Sequence, residues 1–479
     1  MDAETVQFMQ TARRFLDEIH QDMEDGSNEL TELGRHVEEF LGVPIASADP
    51  ISEEFPPHQV VDLDLAVEKL LQVHGGRQYG VAGPNRAHIQ SMTDLLIRQH
   101  SSFKLGPVSY TRMATGPASE RRVVSYGLAL LRVGEVPVAL LQRGRMPEYG
   151  REAYTLEVLA AAPEVGDMFL GEVRATMRTL SVIRGQVISF QRDDFNYRAA
   201  GGLLTFLPRP ELEAGQVILP DGVLERVSRH VIGIGEQRDR LIAAEQHLKR
   251  GVLLYGPPGT GKTHLVRHLL SQTPGTTAVL LSGRTLGALS EATKLARAAQ
   301  PAIVVLEDCD LVAEERGGDS NAALFETLEA MDGLDGDADI TFILTTNRPD
   351  LLERALVERP GRVDLAVEIG KPDTYARERL FALYGANLLE SGNLSQSTIE
   401  TAAARTEGVT ASFAKEAVRR CILQAAREDR PPADEDLLRA LTEMLSDGEL
   451  LTRTLLGGAP TTGAMPWPDR PTGPEDHEE

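Results

Sequence analysis

The chain has 479 residues, 42% of them hydrophobic and 25% charged, with a formal net charge of −23, so about two to four domains with their own cores are expected. The acidic balance argues against non-specific binding to nucleic acid or anionic lipid, because an acidic surface and phosphates repel each other. Two cysteines, Cys309 and Cys421, make no disulfide framework and fit a reducing compartment.

The N-terminal "MDAETVQF" lacks the basic-then-apolar pattern of a secretory signal. No run approaches the roughly 18 apolar residues of a membrane span, so a cytoplasmic protein without a membrane partner is expected. Residues 1–60 hold fourteen acids against three arginines, which reads as a solvated helical face or as an acidic docking surface. Residues 3–41 lack proline and space Phe8, Phe15, Leu16 and Ile19 at helical intervals. The Gly26–Ser27–Asn28 break predicts two helices there. Further helical patterns lie near 63–72 and 85–99. From 107 the character changes: "VVSYGLALLRV" and "VPVALLQRG" are short apolar runs between Gly-containing turns, as in a meander. An amphipathic helix in "VGDMFLGEVRATMRTLSVI" and a strand in "GQVISF" follow. An α+β domain over 1–206 is therefore expected, helical over 1–100 and strand-rich over 107–191, with a role in binding substrate or adaptor suggested by position alone.

"LPRPELEAGQVILPDG" (207–222) holds three prolines and two glycines and is read as a linker. Strand and helix patterns then alternate, predicting a parallel α/β sheet over 223–372. Residues 373–455 are almost purely helical in pattern. Residues 456–479 are rich in Gly, Pro and acids, contain the only tryptophan, Trp467, and are expected to be disordered.

The chemistry gathers in the α/β region. "VLLYGPPGTGKT" sets an apolar strand directly before Gly256, Pro257, Pro258, Gly259, Thr260, Gly261, Lys262 and Thr263. Such glycines let backbone N–H groups wrap phosphate oxygens. Lys262 is placed to reach the β and γ phosphates, the Thr263 hydroxyl to ligate Mg²⁺, and the following helix points its positive end at the phosphates. "IVVLEDCD" is a second apolar strand, ending in Glu307 and Asp308. In a P-loop site one acid here helps to hold Mg²⁺ and its neighbour orients the attacking water. "ITFILTTNRPD" is a third, ending in Asn347, a neutral group suited to sensing a γ-phosphate. Arg359 and Arg362 follow twelve and fifteen residues later. Their fork-shaped, permanently charged heads suit a transferring phosphoryl group, and flanking Pro-Gly just past a sheet they are better placed for a neighbour's nucleotide than for their own.

With these motifs in order, the chain from about Leu219 to Asp447 resembles the AAA ATPases, with a module like that of valosin-containing protein. The resemblance implies an α/β P-loop NTPase fold with an all-α lid. It puts Gly256–Thr263 on the Walker A motif, Ile303–Asp308 on Walker B, Asn347 on the first sensor, and Arg359 and Arg362 on the arginine fingers. Leu328–Leu334 ("LEAMDGL") resembles the segment that passes nucleotide state between subunits. Thr410-Ala411-Ser412 stands where the family usually has Gly-Ala-Asp. The family implies ATP and Mg²⁺ as cofactors and a homo-oligomeric ring, usually of six subunits, that remodels, unfolds or disassembles protein partners.

Two departures stand out. The acid pair is reversed from the usual Asp-Glu, leaving Asp308 short by one C–C bond, about 1.5 Å; some members of the family resemble this order and are active. The region of the family's aromatic substrate-gripping loop has no aromatic residue, and Thr285-Leu286-Gly287 is either a weak grip or a packed turn. These departures keep open a second reading, a nucleotide-regulated scaffold with little hydrolysis. His264 and His268 have no third ligand nearby in sequence and read as structural; Cys309 reads as core packing. No HExxH motif is present, the ending "PEDHEE" lacks the hydrophobic–Tyr–any signature of proteasome-activating ATPases, and residues 1–41 hold too few heptads for their long coiled coil.

Overall fold

The computed structural model describes residues 30–84, 89, 91–97, 103–151, 153–191, 203–310, 338–348 and 363–446. The expected helix before residue 30, the Leu328–Leu334 segment, Arg359, Arg362 and the 456–479 tail lie outside them. The chain divides into two compact units, Met1–Pro208 and Arg209–Glu479.

The first unit is built on an antiparallel sheet of β1 (Ile51–Phe55), β2 (Arg77–Ala82), β3 (Lys104–Gly106), β4 (Ser109–Gly116), β5 (Ser119–Val133), β6 (Val136–Arg143) and β7 (Tyr154–Ala160). The order is β1-β7-β6-β5-β2-β3, and β4 also pairs with β5. Alternation along β5 serves both faces. Ala129 and Leu131 join Leu63, Val67 and Leu70 of α2 (Val60–Val73), while Leu128 and Leu130 join Leu33 and Val37 of α1 (Glu32–Leu41) and Met92, Leu95 and Leu96 of α3 (Met92–Leu96). Phe169 and Val173 of α4 (Pro163–Leu180) complete the α2 side. A hairpin of β8 (Val187–Gln191) and β9 (Leu203–Leu207) ends the unit.

The expectation of helix throughout 1–100 is corrected by β1 and β2. "ISEEF" is a polar edge strand, paired among the described residues only with β7, and carries little apolar signal because one of its sides faces solvent. "RQYGVA" holds a glycine at a close approach: a Cβ on Gly80 would lie 1.8 Å from the Pro107 carbonyl oxygen. Tertiary pairing overrides weak local preference at both.

In the second unit β10 (Arg250–Tyr255), β11 (Thr277–Ser282), β12 (Ala302–Glu307), β13 (Ile340–Thr346) and β14 (Leu365–Glu368) run parallel in the order β14-β10-β13-β12-β11. Every residue of β13 is buried, as a central strand covered on both faces requires. Helices α5 (Val223–Glu236), α6 (Arg238–Ala243), α7 (Lys262–Ser271) and α8 (Leu289–Ala298) belong to this layer. Beyond β14 come only helices among the described residues: α9 (Thr374–Tyr384), α10 (Ala386–Glu390), α11 (Gln396–Arg405), α12 (Ala411–Arg427) and α13 (Asp434–Leu445). They close on a core that includes Phe381, Ile399, Phe413, Cys421 and Leu441.

Part of the stretch read as a linker is packed onto this unit. The Arg209 guanidinium donates to the carbonyls of Leu270 at 2.7 Å and Thr276 at 2.6 Å. Val217, Ile218 and Leu219 are buried, and burying that apolar run outweighs the freedom its prolines and glycines suggest.

Candidate active site

The order of the strands places the chemistry. β13 lies between β10 and β12, so the phosphate-loop candidate, the acid pair and Asn347 all emerge from neighbouring strand ends. Tyr255 pairs with Thr346, and Leu306 with Leu344. Residues 38 and 91 positions apart in sequence are thus paired in one sheet.

The loop after β10 needs its glycines. Gly256 has φ +142°, and a Cβ there would lie 2.3 Å from the Ile369 carbonyl oxygen. Gly259 has φ +77°, and a Cβ there would meet the Ser412 hydroxyl at 2.8 Å. The buried Thr260 hydroxyl cinches the loop by donating to the Pro257 carbonyl at 2.9 Å. α7 then starts at Lys262, its N-terminal amides opening onto the loop, which is a ready-made anion site. The start of α12 also touches this loop, Ser412 N–H donating to the Gly259 carbonyl at 3.2 Å. The Thr410-Ala411-Ser412 segment is therefore at the site.

Lys262 is buried, and its ammonium uses all three protons: it donates to the carbonyls of Gly256 at 2.8 Å and Pro257 at 2.9 Å and to Asn347 Oδ1 at 2.8 Å. Burial lowers its pKa, partly countered by the charges of Asp308 and Asp310. Asn347 Nδ2 in turn donates to Asp308 Oδ1 at 3.3 Å. Thr263 favours the ionised form of Glu307. The pKa of Glu307 is nonetheless raised, first by burial and then by the adjacent Asp308. The two candidate metal-holding residues, Thr263 and Glu307, thus act on each other electrostatically, with Asp308 next in the chain and bound to Asn347.

Two residues that sequence reasoning passed over belong to this network. Asp310 Oδ1 accepts from the Thr346 hydroxyl at 2.9 Å and from the Asn347 N–H at 3.2 Å, so it fixes the start of the loop that carries Asn347. Thr345 accepts from the Asp308 N–H through its hydroxyl at 3.0 Å and from the Cys309 N–H through its carbonyl at 3.0 Å. The third acid of "EDCD" was a legible signal for the first; nothing in sequence marked the second.

The other candidates fall elsewhere. Leu286 is buried within a 3₁₀ turn, Gly283–Ala288, whose Thr285 hydroxyl bonds back to Ser282; this is the packed turn rather than an exposed grip. His268 Nδ1 lies 2.9 Å from the Leu212 carbonyl. Half-buried His264 has its pKa lowered by burial and by Arg267 and Lys415. The Cys309 thiol contacts the Leu306 carbonyl and is pushed up to about 12 by burial, far from a reactive thiolate.

Residues 252–371 match the model of the ATPase family associated with various cellular activities (AAA). Similar curated proteins include a proteasome-activating nucleotidase of Methanocaldococcus jannaschii, 32% identical over 215 residues, 41% of this chain and 49% of that protein. The 26S proteasome regulatory subunit 10B of Dictyostelium discoideum is 31% identical over 208 residues, 40% of this chain and 52% of that protein. The proteasome-activating nucleotidase of Methanococcus vannielii is 36% identical over 150 residues, 28% of this chain and 37% of that protein. The chain spans about half the length of the first two and less of the third. With the P-loop fold and the strand-end network, this match places a domain of the AAA type over residues 252–371 of the second unit.

Proposed function

We propose that the protein hydrolyses ATP as a subunit of a ring, hexameric as the family implies, and uses the cycle to remodel, unfold or disassemble protein partners. The observation that supports this best is the convergence of Lys262, Glu307, Asp308 and Asn347 at the ends of three neighbouring parallel strands. In this reading Gly256–Thr263 and the α7 N-terminus bind the phosphates. Lys262 exchanges its neutral acceptors for phosphate oxygens. Thr263 and Glu307 hold Mg²⁺, which would neutralise phosphate charge. Asp308 orients the attacking water and takes its proton, while Asn347 reports the terminal phosphate to Lys262 and Asp308. Arg359 and Arg362 act on the neighbouring subunit's nucleotide. The first unit receives the substrate or its adaptor, and the work is done in the cytoplasm. The buried Leu286 favours gentler remodelling over forceful threading.

The test is ATP turnover by the purified protein, alone and in mixtures of Lys262→Ala with Arg359→Ala. Each variant alone should be inactive, and the mixture should recover part of the rate, because some interfaces pair an intact pocket with an intact finger. Failure to recover at any ratio rules out shared sites. Absence of turnover in the unmodified protein removes the enzyme reading itself.

A further inference from the structure

The reversed acid pair has a counterpart in the backbone. Glu307 is the last residue of β12 and lies on extended chain. Asp308, one residue on, has φ +51°. L-residues enter this left-handed region uncommonly. Asp and Asn do so several-fold more often than most, since a short polar side chain relieves the crowding and bonds locally. The long acid therefore sits where the chain is extended, while the short acid sits on the left-handed turn and reaches Asn347.

The turn is held from the neighbouring strand. The register Leu306↔Leu344 brings Thr345 alongside the end of β12. The Asp308 N–H is received by the Thr345 hydroxyl at 3.0 Å, and the Cys309 N–H by the Thr345 carbonyl at 3.0 Å. Any residue at 345 offers the carbonyl; only a hydroxyl-bearing one of this shape offers the other acceptor. Thr345 is 1% exposed, so water cannot readily replace it.

We infer that Thr345 is the positioning residue of Asp308: its hydroxyl holds the left-handed turn that aims the short carboxylate at Asn347, and that turn is what suits aspartate rather than glutamate to the second position of the pair. The catalytic consequence rests on the ATPase reading; the positioning itself does not. Two measurements separate them. Thr345→Val keeps the shape and removes the acceptor, and Thr345→Ser restores it. In a crystal structure of Thr345→Val, Asp308 should leave the left-handed region and lose Asn347; in Thr345→Ser it should keep both. In turnover, Thr345→Val should lower kcat by about 10- to 100-fold, the scale of a misplacement near 1 Å, with KM for ATP unchanged. Thr345→Ser should stay within about threefold. In an Asp308→Asn background Thr345→Val should add less than about twofold, because residues acting through one group are not additive.

An Asp308 still left-handed and bound to Asn347 in Thr345→Val overturns the inference, as does an undiminished effect in the Asp308→Asn background. If valine prevents folding, Thr345→Ala lacks the same hydroxyl and takes its place in both measurements. Should the unmodified chain turn over no ATP, the functional reading falls and the crystallographic comparison alone decides the positioning.

Discussion

Each unit buries a cation close to an anion, and the two arrangements differ in kind. In the first unit Arg143 and Glu157 are both buried, with Nη2 and Oε1 2.5 Å apart, an ion pair by distance whose angles are not those of a hydrogen bond. Their remaining atoms tie down neighbouring chain: Arg143 Nη1 donates to the Ile89 carbonyl at 2.9 Å, and Glu157 Oε2 accepts the Met92 N–H at 2.6 Å. In the second unit, among the described residues, Lys262 bonds only to neutral oxygens, and Asp308 and Asp310 act on it through their charge. A pair engaged with each other and with α3 is committed to holding the fold. A cation whose partners are neutral can be passed to an incoming anion at the cost of three ordinary hydrogen bonds, each worth roughly 0.5–1.5 kcal/mol net or somewhat more to a charged donor.

Substitution should separate these roles, and the largest effect belongs to the site. Lys262→Ala is expected to lower ATP turnover by on the order of 10²–10³-fold, the usual result of deleting one preorganised group that stabilises transition-state charge. Its folding stability in denaturant should move by less than about 1 kcal/mol, since the lost bonds are offset by removal of a desolvated charge. A large stability loss with turnover intact would place Lys262 in the same class as Arg143 and dissolve the contrast. Glu157→Ala should do the reverse. It strands Arg143 as a buried charge and frees the start of α3, costing about 3–5 kcal/mol. Turnover per folded molecule should hold, measured as the urea midpoint beside active-site titration.

The same contrast explains what the sequence disclosed. The loop from Gly256 to Thr263 was legible because its requirements are local: positive φ at Gly256 and Gly259, a strand before, a helix after. The hydrophobic runs of β10, β12 and β13 were legible because strands covered on both faces are apolar throughout. Thr345 was not, because its role is a single hydrogen bond across two strands and a threonine in a strand looks like β-propensity. β1 was hidden for a related reason. Glu53 and Glu54 make it read as polar loop, yet Arg174 of α4 folds over it and grips Glu53 with two bonds, at 2.9 and 2.8 Å. Contacts distant in sequence decide such positions, and no periodicity announces them.

The smallest expected effect is the one that most sharply distinguishes a site acid from a structural one. Burial first, and Asp308 second, raise the pKa of Glu307 above its ordinary value of 4.5. A carboxyl that holds its proton more tightly in the folded state favours folding fully only below the unfolded-state pKa. The advantage is lost as pH rises through the folded-state value, so at neutral pH the ionised Glu307 is a cost. Glu307→Gln should therefore stabilise the nucleotide-free protein at pH 7, within the roughly 0.5–2 kcal/mol typical of single stabilising changes. The gain should shrink to nothing as pH falls below about 4.5, and turnover should be lost at every pH. Denaturation of the two proteins across that range measures it. A Glu307→Gln variant less stable at pH 7 than its parent would mean that the groups favouring the ionised form, Thr263 and Arg267, outweigh burial and that Glu307 belongs, like Glu157, to the fold.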